Sequence, residues 1–112
     1  MRNAAARKPN ADRVLNALGD STRRAIVNKL VRGPASVSSL AAPLSITLTA
    51  VAQHLAVLED SGLVRTEKIG RVRTCRIEQK GFAVLESWIA YHRALMEERL
   101  DRLGDLLAED ED

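Results

Sequence analysis

Apolar positions recur at helical spacing through most of this chain and give way only once to a β-branched stretch punctuated by a turn. Val14, Leu15 and Leu18 predict a short helix over 11–18, closed by Gly19. Asp20 stands where an N-cap belongs, its carboxylate accepting from the free amides of the next turn. Ile26, Val27 and Leu30 then line one face of a second helix over 22–31, ended by Gly33-Pro34. Ser36 caps a third, very short helix carrying Val37 and Leu40, which Pro43 is expected to stop at Ala42. Thr47 caps a fourth that runs to Asp60, before Ser61-Gly62 turns the chain. LVRTEKI, GR and VRTCRIE read as two strands around a glycine turn, with Val64, Cys75 and Ile77 placed to pack on the helices. From Gly81 onward Leu85, Ile89, His92, Met96, Leu100, Leu103 and Leu107 advance by ~3.7 residues on average, a straight-helix period rather than the ~3.5 of a left-handed coiled coil. Trp88, Leu95 and Leu106 broaden the stripe, so this long helix should lie flat on a broad surface while its acidic AEDED end frays.

The segment TLTAVAQHLAVLEDSGLV, residues 47–64, raises the functional question. At about 100° per residue, Val51, Leu55 and Leu58 fall within an arc of about 60°, and Thr49, Ala50, Gln53, Ala56 and Val57 lie opposite. A solubilising face would carry Glu and Lys, which are good helix formers and cost nothing in water. This helix holds no charge before Glu59, so its exposed front half is shaped for close approach. A DNA major groove admits one helix, and its bases are read by short polar side chains and by apolar contact with thymine methyls. Gln53 can pair bidentately with adenine, Thr47, Thr49 and His54 can reach phosphates or base edges, and Ala50 offers a methyl. The free amides of the helix N-terminus also attract phosphate. Two short helices joined by a tight turn, then a hairpin tipped by Lys68, Arg71 and Arg73, make a winged helix-turn-helix whose tip lies along a minor groove or backbone. The predicted fold is mainly α with a small β-hairpin, a short N-terminal helix and a long C-terminal helix.

Charge strengthens this reading by its distribution. The formal net charge is only +2, but residues 1–80 hold 14 Lys/Arg against 6 Asp/Glu, and residues 81–112 hold 3 against 9. A basic body of +8 with an acidic tail of −6 points to a polyanion partner for the body alone. The first ten residues carry Arg2, Arg7 and Lys8 without apolar periodicity and read as a mobile basic arm. The expected organisation is an arm over 1–10, a globular unit over 11–80, a helix over 81–109 and an acidic tail over 110–112. At 112 residues the chain holds one core, which an oligomer interface would naturally supplement. No run of eighteen apolar residues exists, and MRNAAARKPN lacks a secretory apolar segment, so a soluble cytoplasmic protein without a membrane partner is expected.

LGDSTRRAIVNKL, SVSSLA, TAVAQHLAVLEDSGLV and the basic hairpin GRVRTCRI, in that order over residues 12–80, together resemble the ArsR family of bacterial winged-helix repressors. The long terminal helix resembles that family's dimerisation helix. The resemblance implies a homodimeric, sequence-specific transcriptional repressor that binds an imperfect inverted repeat in double-stranded DNA. The helix over 47–60 would be the recognition helix and residues 65–76 the basic wing. DNA contacts are then expected from Ser38, Thr47, Thr49, Ala50, Gln53, His54, Lys68, Arg71 and Arg73. The dimer interface is expected from Val14, Leu15, Leu85, Trp88, Ile89, His92, Met96, Leu100 and Leu103.

The chain departs from the family's metal-sensing members. Many of these hold a cysteine pair in the third helix, where this chain reads SVSSLAAPL. Others use Asp and His on the terminal helix, where this one offers His92 with Asp101 and Asp105 on later turns and no second histidine nearby. No metal or cofactor is expected, and an effector, if any exists, is not named by the sequence. Cys75 reads as a small core residue, with a redox switch or an intersubunit disulfide as the alternatives. Arg23 and Arg24 open the second helix against its dipole, which asks for an anion: Asp20, another protein carboxylate or DNA. No phosphate loop and no nucleophile with a base at motif spacing is present, so no enzyme is expected. The competing class is a winged-helix protein-interaction module without DNA binding, for which a basic wing has no use.

Overall fold

The computed structural model describes residues 8–110. The elements in order are α1 (Ala11–Leu18), α2 (Ser21–Val31), β1 (Ala35–Ser36), α3 (Val37–Leu44), α4 (Leu48–Asp60), β2 (Val64–Ile69), β3 (Val72–Ile77) and α5 (Gln79–Asp110). Each of the first four helices opens on a side-chain cap. Asn10 accepts from the Arg13 N–H at 2.9 Å, Asp20 from Arg23 at 2.9 Å, Ser36 from Ser39 at 3.2 Å and Thr47 from Ala50 at 3.0 Å. These bonds satisfy amides that have no carbonyl partner within their own helix.

The core forms where the inner faces of α1, α2, α3 and α4 meet the sheet. Val14, Ile26, Leu40, Val51 and Leu58 are fully enclosed, and Leu63 and Cys75 close the layer from the strand side. The sheet has three antiparallel strands in the order β1-β3-β2. The hairpin appears as expected, with Gly70 at φ 64° supplying the left-handed residue that a two-residue loop requires at its first position. β1 is an addition to the expected hairpin. It is two residues long, too short to show alternation, and pairs Ala35 with Cys75 and Ser36 with Thr74.

Several boundaries differ from expectation. Pro43 lies inside α3, which runs on to Leu44. The helix outlasts its proline because its end is closed from beyond. Ser45 adopts φ 56°, its N–H bonds the Ala42 carbonyl at 3.1 Å, and the Ile46 N–H bonds that of Ala41 at 3.2 Å. α5 begins at Gln79, two residues before Gly81, and includes Ala108, Glu109 and Asp110 of the segment expected to fray. Glu111 and Asp112 lie outside the described residues, as do residues 1–7 of the arm expected over 1–10. The last three arm residues belong to the body, since Asn10 caps α1 and Pro9 abuts Gly62.

α5 does not lie flat on a surface of its own chain. Phe82 and Leu85 pack against the core, but from Glu86 the helix stands clear, giving a molecule of 73 × 31 × 21 Å. Its 32 residues measure about 48 Å at 1.5 Å per residue. Among the described residues no single helix is long and apolar enough to cross a membrane.

Candidate nucleic-acid interface

α3 and α4 are joined by three residues and their directions differ by 112°, within the range of about 90–120° that defines a helix-turn-helix. Val51, Leu55 and Leu58 anchor α4 in the core. That burial turns Thr49 and Gln53 outward, with Ala50 half-buried beside them. The front of α4 is therefore an exposed surface without charge. The Thr47 hydroxyl accepts the Ala50 N–H and still has its own proton to donate. Ser38 is exposed at the start of α3, its hydroxyl 3.4 Å from that of Ser36.

His54 sits differently from its neighbours. It is half-buried, and its Nδ1 lies 3.9 Å from an Asp20 oxygen, so the ring links the middle of α4 to the cap of α2. The Asp20 carboxyl is held below the ordinary 3.8, first by the Arg23 N–H and further by the charges of Arg23 and His54. Asp20, one of the expected anions, is thus coupled to Arg23, and both arginines also bond acceptors that carry no side-chain signal, the carbonyls that end α1. Arg23 Nε donates to the Ala17 carbonyl at 2.7 Å and its Nη2 to that of Asn16 at 3.2 Å, while Arg24 Nη1 donates to Leu18 at 2.7 Å. The negative end of one helix thereby offsets the two cations that open the next.

The wing is fastened to α4 at its base. One Glu59 oxygen accepts the Thr66 N–H at 2.8 Å and also the Thr66 hydroxyl. Along the hairpin, charge is paired near the body and unpaired at the tip. Glu67 holds Arg65 at 2.8 Å and lies 3.8 Å from Arg76. Among the described residues Lys68, Arg71 and Arg73 make no ion pair, and all three are exposed. Lys68 and Arg73 are moreover directly opposed across the ladder. Like charges at that position repel, a strain that an anion between them would relieve.

The residues expected at a dimer interface divide in two. Val14 is fully enclosed in the core of its own chain and has no surface to offer a second copy. Its place on one face of a short helix did not reveal which neighbour would cover it. Leu15 is 41% exposed, Leu85 half-buried, and Trp88, Ile89, Met96, Leu100 and Leu103 run exposed along α5. His92 belongs to the same face. Its ring stacks on Trp88 at 4.0 Å, meets Tyr91 edge-on at 5.3 Å, and donates from Nδ1 to the Trp88 carbonyl at 2.8 Å.

Three further exposed apolar side chains flank the α4 and wing surface, Leu48 on the first turn of α4 and Ile69 and Val72 beside the wing turn. For the wing pair, the alternation of β2 and β3 already placed them on the face opposite Cys75. Cys75 is buried, and burial, with the Glu59 charge adding to it, pushes its thiol up to about 11. Among the described residues no three His, Cys, Asp or Glu side chains are grouped to hold a metal ion.

A helix-turn-helix followed by a hairpin with a cationic tip defines a winged helix-turn-helix, and comparison with known proteins supplies the family. Residues 20–66 match the bacterial regulatory protein family arsR. The HTH-type transcriptional regulator Rv2034 of Mycobacterium tuberculosis is 42% identical over 76 residues, covering 68% of this chain and 71% of its own. The ArsR-like transcriptional regulator from Rhodococcus sp. RHA1 superposes with a TM-score of 0.76 at 31% identity, over 86% of this chain and 91% of that one. The homodimeric winged helix-turn-helix DNA-binding domain of Mb0332 from Mycobacterium bovis, a possible ArsR-family regulator, gives a TM-score of 0.59 at 27% identity, over 81% and 82%. The chain belongs to the ArsR family of bacterial regulatory proteins.

Proposed function

We propose that this protein is a homodimeric, sequence-specific DNA-binding repressor acting in the cytoplasm on an imperfect inverted repeat. The observation that carries the reading is the pairing of an uncharged, outward front on α4 with unpaired cations on a wing bonded to the same helix. Thr49, Ala50 and Gln53 would meet base edges in the major groove. Ser38 and Thr47 would meet phosphates, and Lys68, Arg71 and Arg73 the flanking backbone and minor groove. His54 would act chiefly by positioning, through Asp20, with at most its outer edge toward the duplex.

The dimer follows from α5. Ile89, Met96, Leu100 and Leu103 are 41–65% exposed in one chain and form a continuous apolar stripe of the kind that a second copy covers. Leu15 would join from α1. The homodimeric state of the Mycobacterium bovis neighbour supports the same arrangement. Two recognition helices about 34 Å apart would enter successive major grooves on one side of the duplex. Where such a site overlaps a promoter, the occupied duplex excludes polymerase. Titration of the protein on its own upstream DNA at several salt concentrations tests the reading, and a lack of preference over random duplex refutes it.

A further inference from the structure

The two rungs nearest the wing tip have opposite chemistry. Lys68 faces Arg73, and the next and last rung pairs Ile69 with Val72. Successive residues of a strand point to opposite faces. The cationic rung therefore shares the face of Thr66 and Cys75, which turns toward α4 and the core, and the apolar rung lies on the other face. Ile69 is 54% and Val72 50% exposed, so about half of each side chain is open to a partner. Arg71 stands in the turn between them.

We propose that Ile69 and Val72 form a wedge against the deoxyribose wall of a DNA minor groove and make the protein select for groove flexibility beneath the wing. This rests on the DNA-binding reading above. Charge chooses the occupant. A second copy of the same tip would bring three more unpaired cations against these three, whereas a duplex supplies phosphates for the cations and C–H sugar edges for the apolar pair. A ribbon that enters a groove edge-on has two faces and meets two walls. With the Lys68–Arg73 rung on the phosphates nearer α4, the Ile69–Val72 rung falls on the sugars of the opposite strand.

Size sets the selectivity. A two-stranded ribbon with side chains is about 10 Å thick, but the minor groove of B-DNA is only about 6 Å wide. The groove must open, as it does for other proteins that drive apolar wedges into it. Opening is easiest at pyrimidine–purine steps such as TA and hardest at stiff A-tracts. The operator should accordingly carry flexible steps under each wing, at positions that α4 does not reach.

The test uses the full chain and its operator, with TA steps or an A-tract placed under the wings. Wild type should bind the TA form about tenfold more tightly and protect the wing-side sugars from hydroxyl radical. The variant Ile69→Thr/Val72→Thr, which keeps β-branching, should lose that tenfold difference and the sugar protection while still preferring the operator to random duplex. Equal wild-type affinity for the two operators, or sugar protection that survives in the variant, overturns the wedge alone. A variant altered in self-association but unchanged on DNA also overturns it. A wild type without preference for any duplex overturns the DNA-binding reading and the wedge with it.

Discussion

Gly81 donates its backbone N–H to the carbonyl of Gly62 at 2.8 Å, which brings the first turn of α5 onto the turn that follows α4. Gly62 holds φ 76°, and a Cβ on Gly81 would come within 2.6 Å of the Ser61 carbonyl oxygen. Two glycines thus form the seat on which the apolar rod meets the end of α4. A second copy docked on α5 would act on α4 through this contact together with the packing of α5 on α1 and of α1 on α4.

Gly81→Ala should therefore act on both fold and binding. The clash is with backbone, which cannot swing aside, so a loss of about 1–3 kcal/mol in urea unfolding is expected. Operator affinity should fall further than the unfolded fraction explains, because the angle between α5 and α4 is disturbed. Unchanged unfolding midpoint and affinity would show that the seat tolerates a methyl group.

Glu59→Ala should loosen the wing from α4. The Thr66 N–H, part-buried, would lose its acceptor at a cost of about 1–3 kcal/mol. Because the Glu59 charge also raises the Cys75 thiol, that thiol should titrate at lower pH in the variant. Denaturant unfolding and thiolate absorbance read the two effects separately, and an unaltered thiol titration would mean that the charge does not reach Cys75.

How far these features could be read from sequence depended on whether the deciding partner was local. The caps Asp20, Ser36 and Thr47 bond three residues ahead, and the hairpin turn at Gly70 needs one glycine, so they were visible in short stretches of chain. β1 exists only because Ala35 and Ser36 meet Thr74 and Cys75, some forty residues away. Arg23 and Arg24 likewise reach back to carbonyls of α1, which offer no side-chain signal. α3 passes Pro43 because Ser45 and Ile46 close its end, and Val14 is lost to a second copy because its own core surrounds it. Within the candidate site, the outward set on α4 followed from the 3.6-residue period. The same period sets His54 nearer the core edge, but its partner Asp20 needed the packing of α4 against α2.

Gln53→Ala and Arg71→Ala should separate base reading from backbone attraction. The first should cost about 1–3 kcal/mol on the operator and relax preference at one base position. The second should weaken all duplexes alike and lower the salt slope by about one. Binding titrations over a panel of operator variants at several salt concentrations distinguish them, and equal effects of both changes on every sequence would refute the division.

Two groups predict opposite limbs of the stability–pH curve. The Asp20 carboxyl is depressed in the fold, so its contribution is present above the ordinary 3.8 and is lost as pH falls through the folded value. Asp20→Ala should flatten the acid limb. The Cys75 thiol is raised from 9.0 to about 11, so its contribution is intact below 9 and declines as pH rises toward 11. Cys75→Ala should flatten the alkaline limb, and the native thiol should resist alkylation until the chain unfolds. Limbs unchanged in the variants would remove both groups as the cause.

The central claim is that two copies joined through α5 present matched α4 helices to one face of a duplex. Footprinting of the upstream DNA, with the stoichiometry taken from sedimentation of the same complex, tests it most directly. Two protein chains should protect two half-sites about one helical turn, ~34 Å, apart, and Met96→Glu should yield a folded monomer that loses both together. A single chain protecting a single half-site with full affinity, or a Met96→Glu monomer that binds as well as wild type, would contradict the claim.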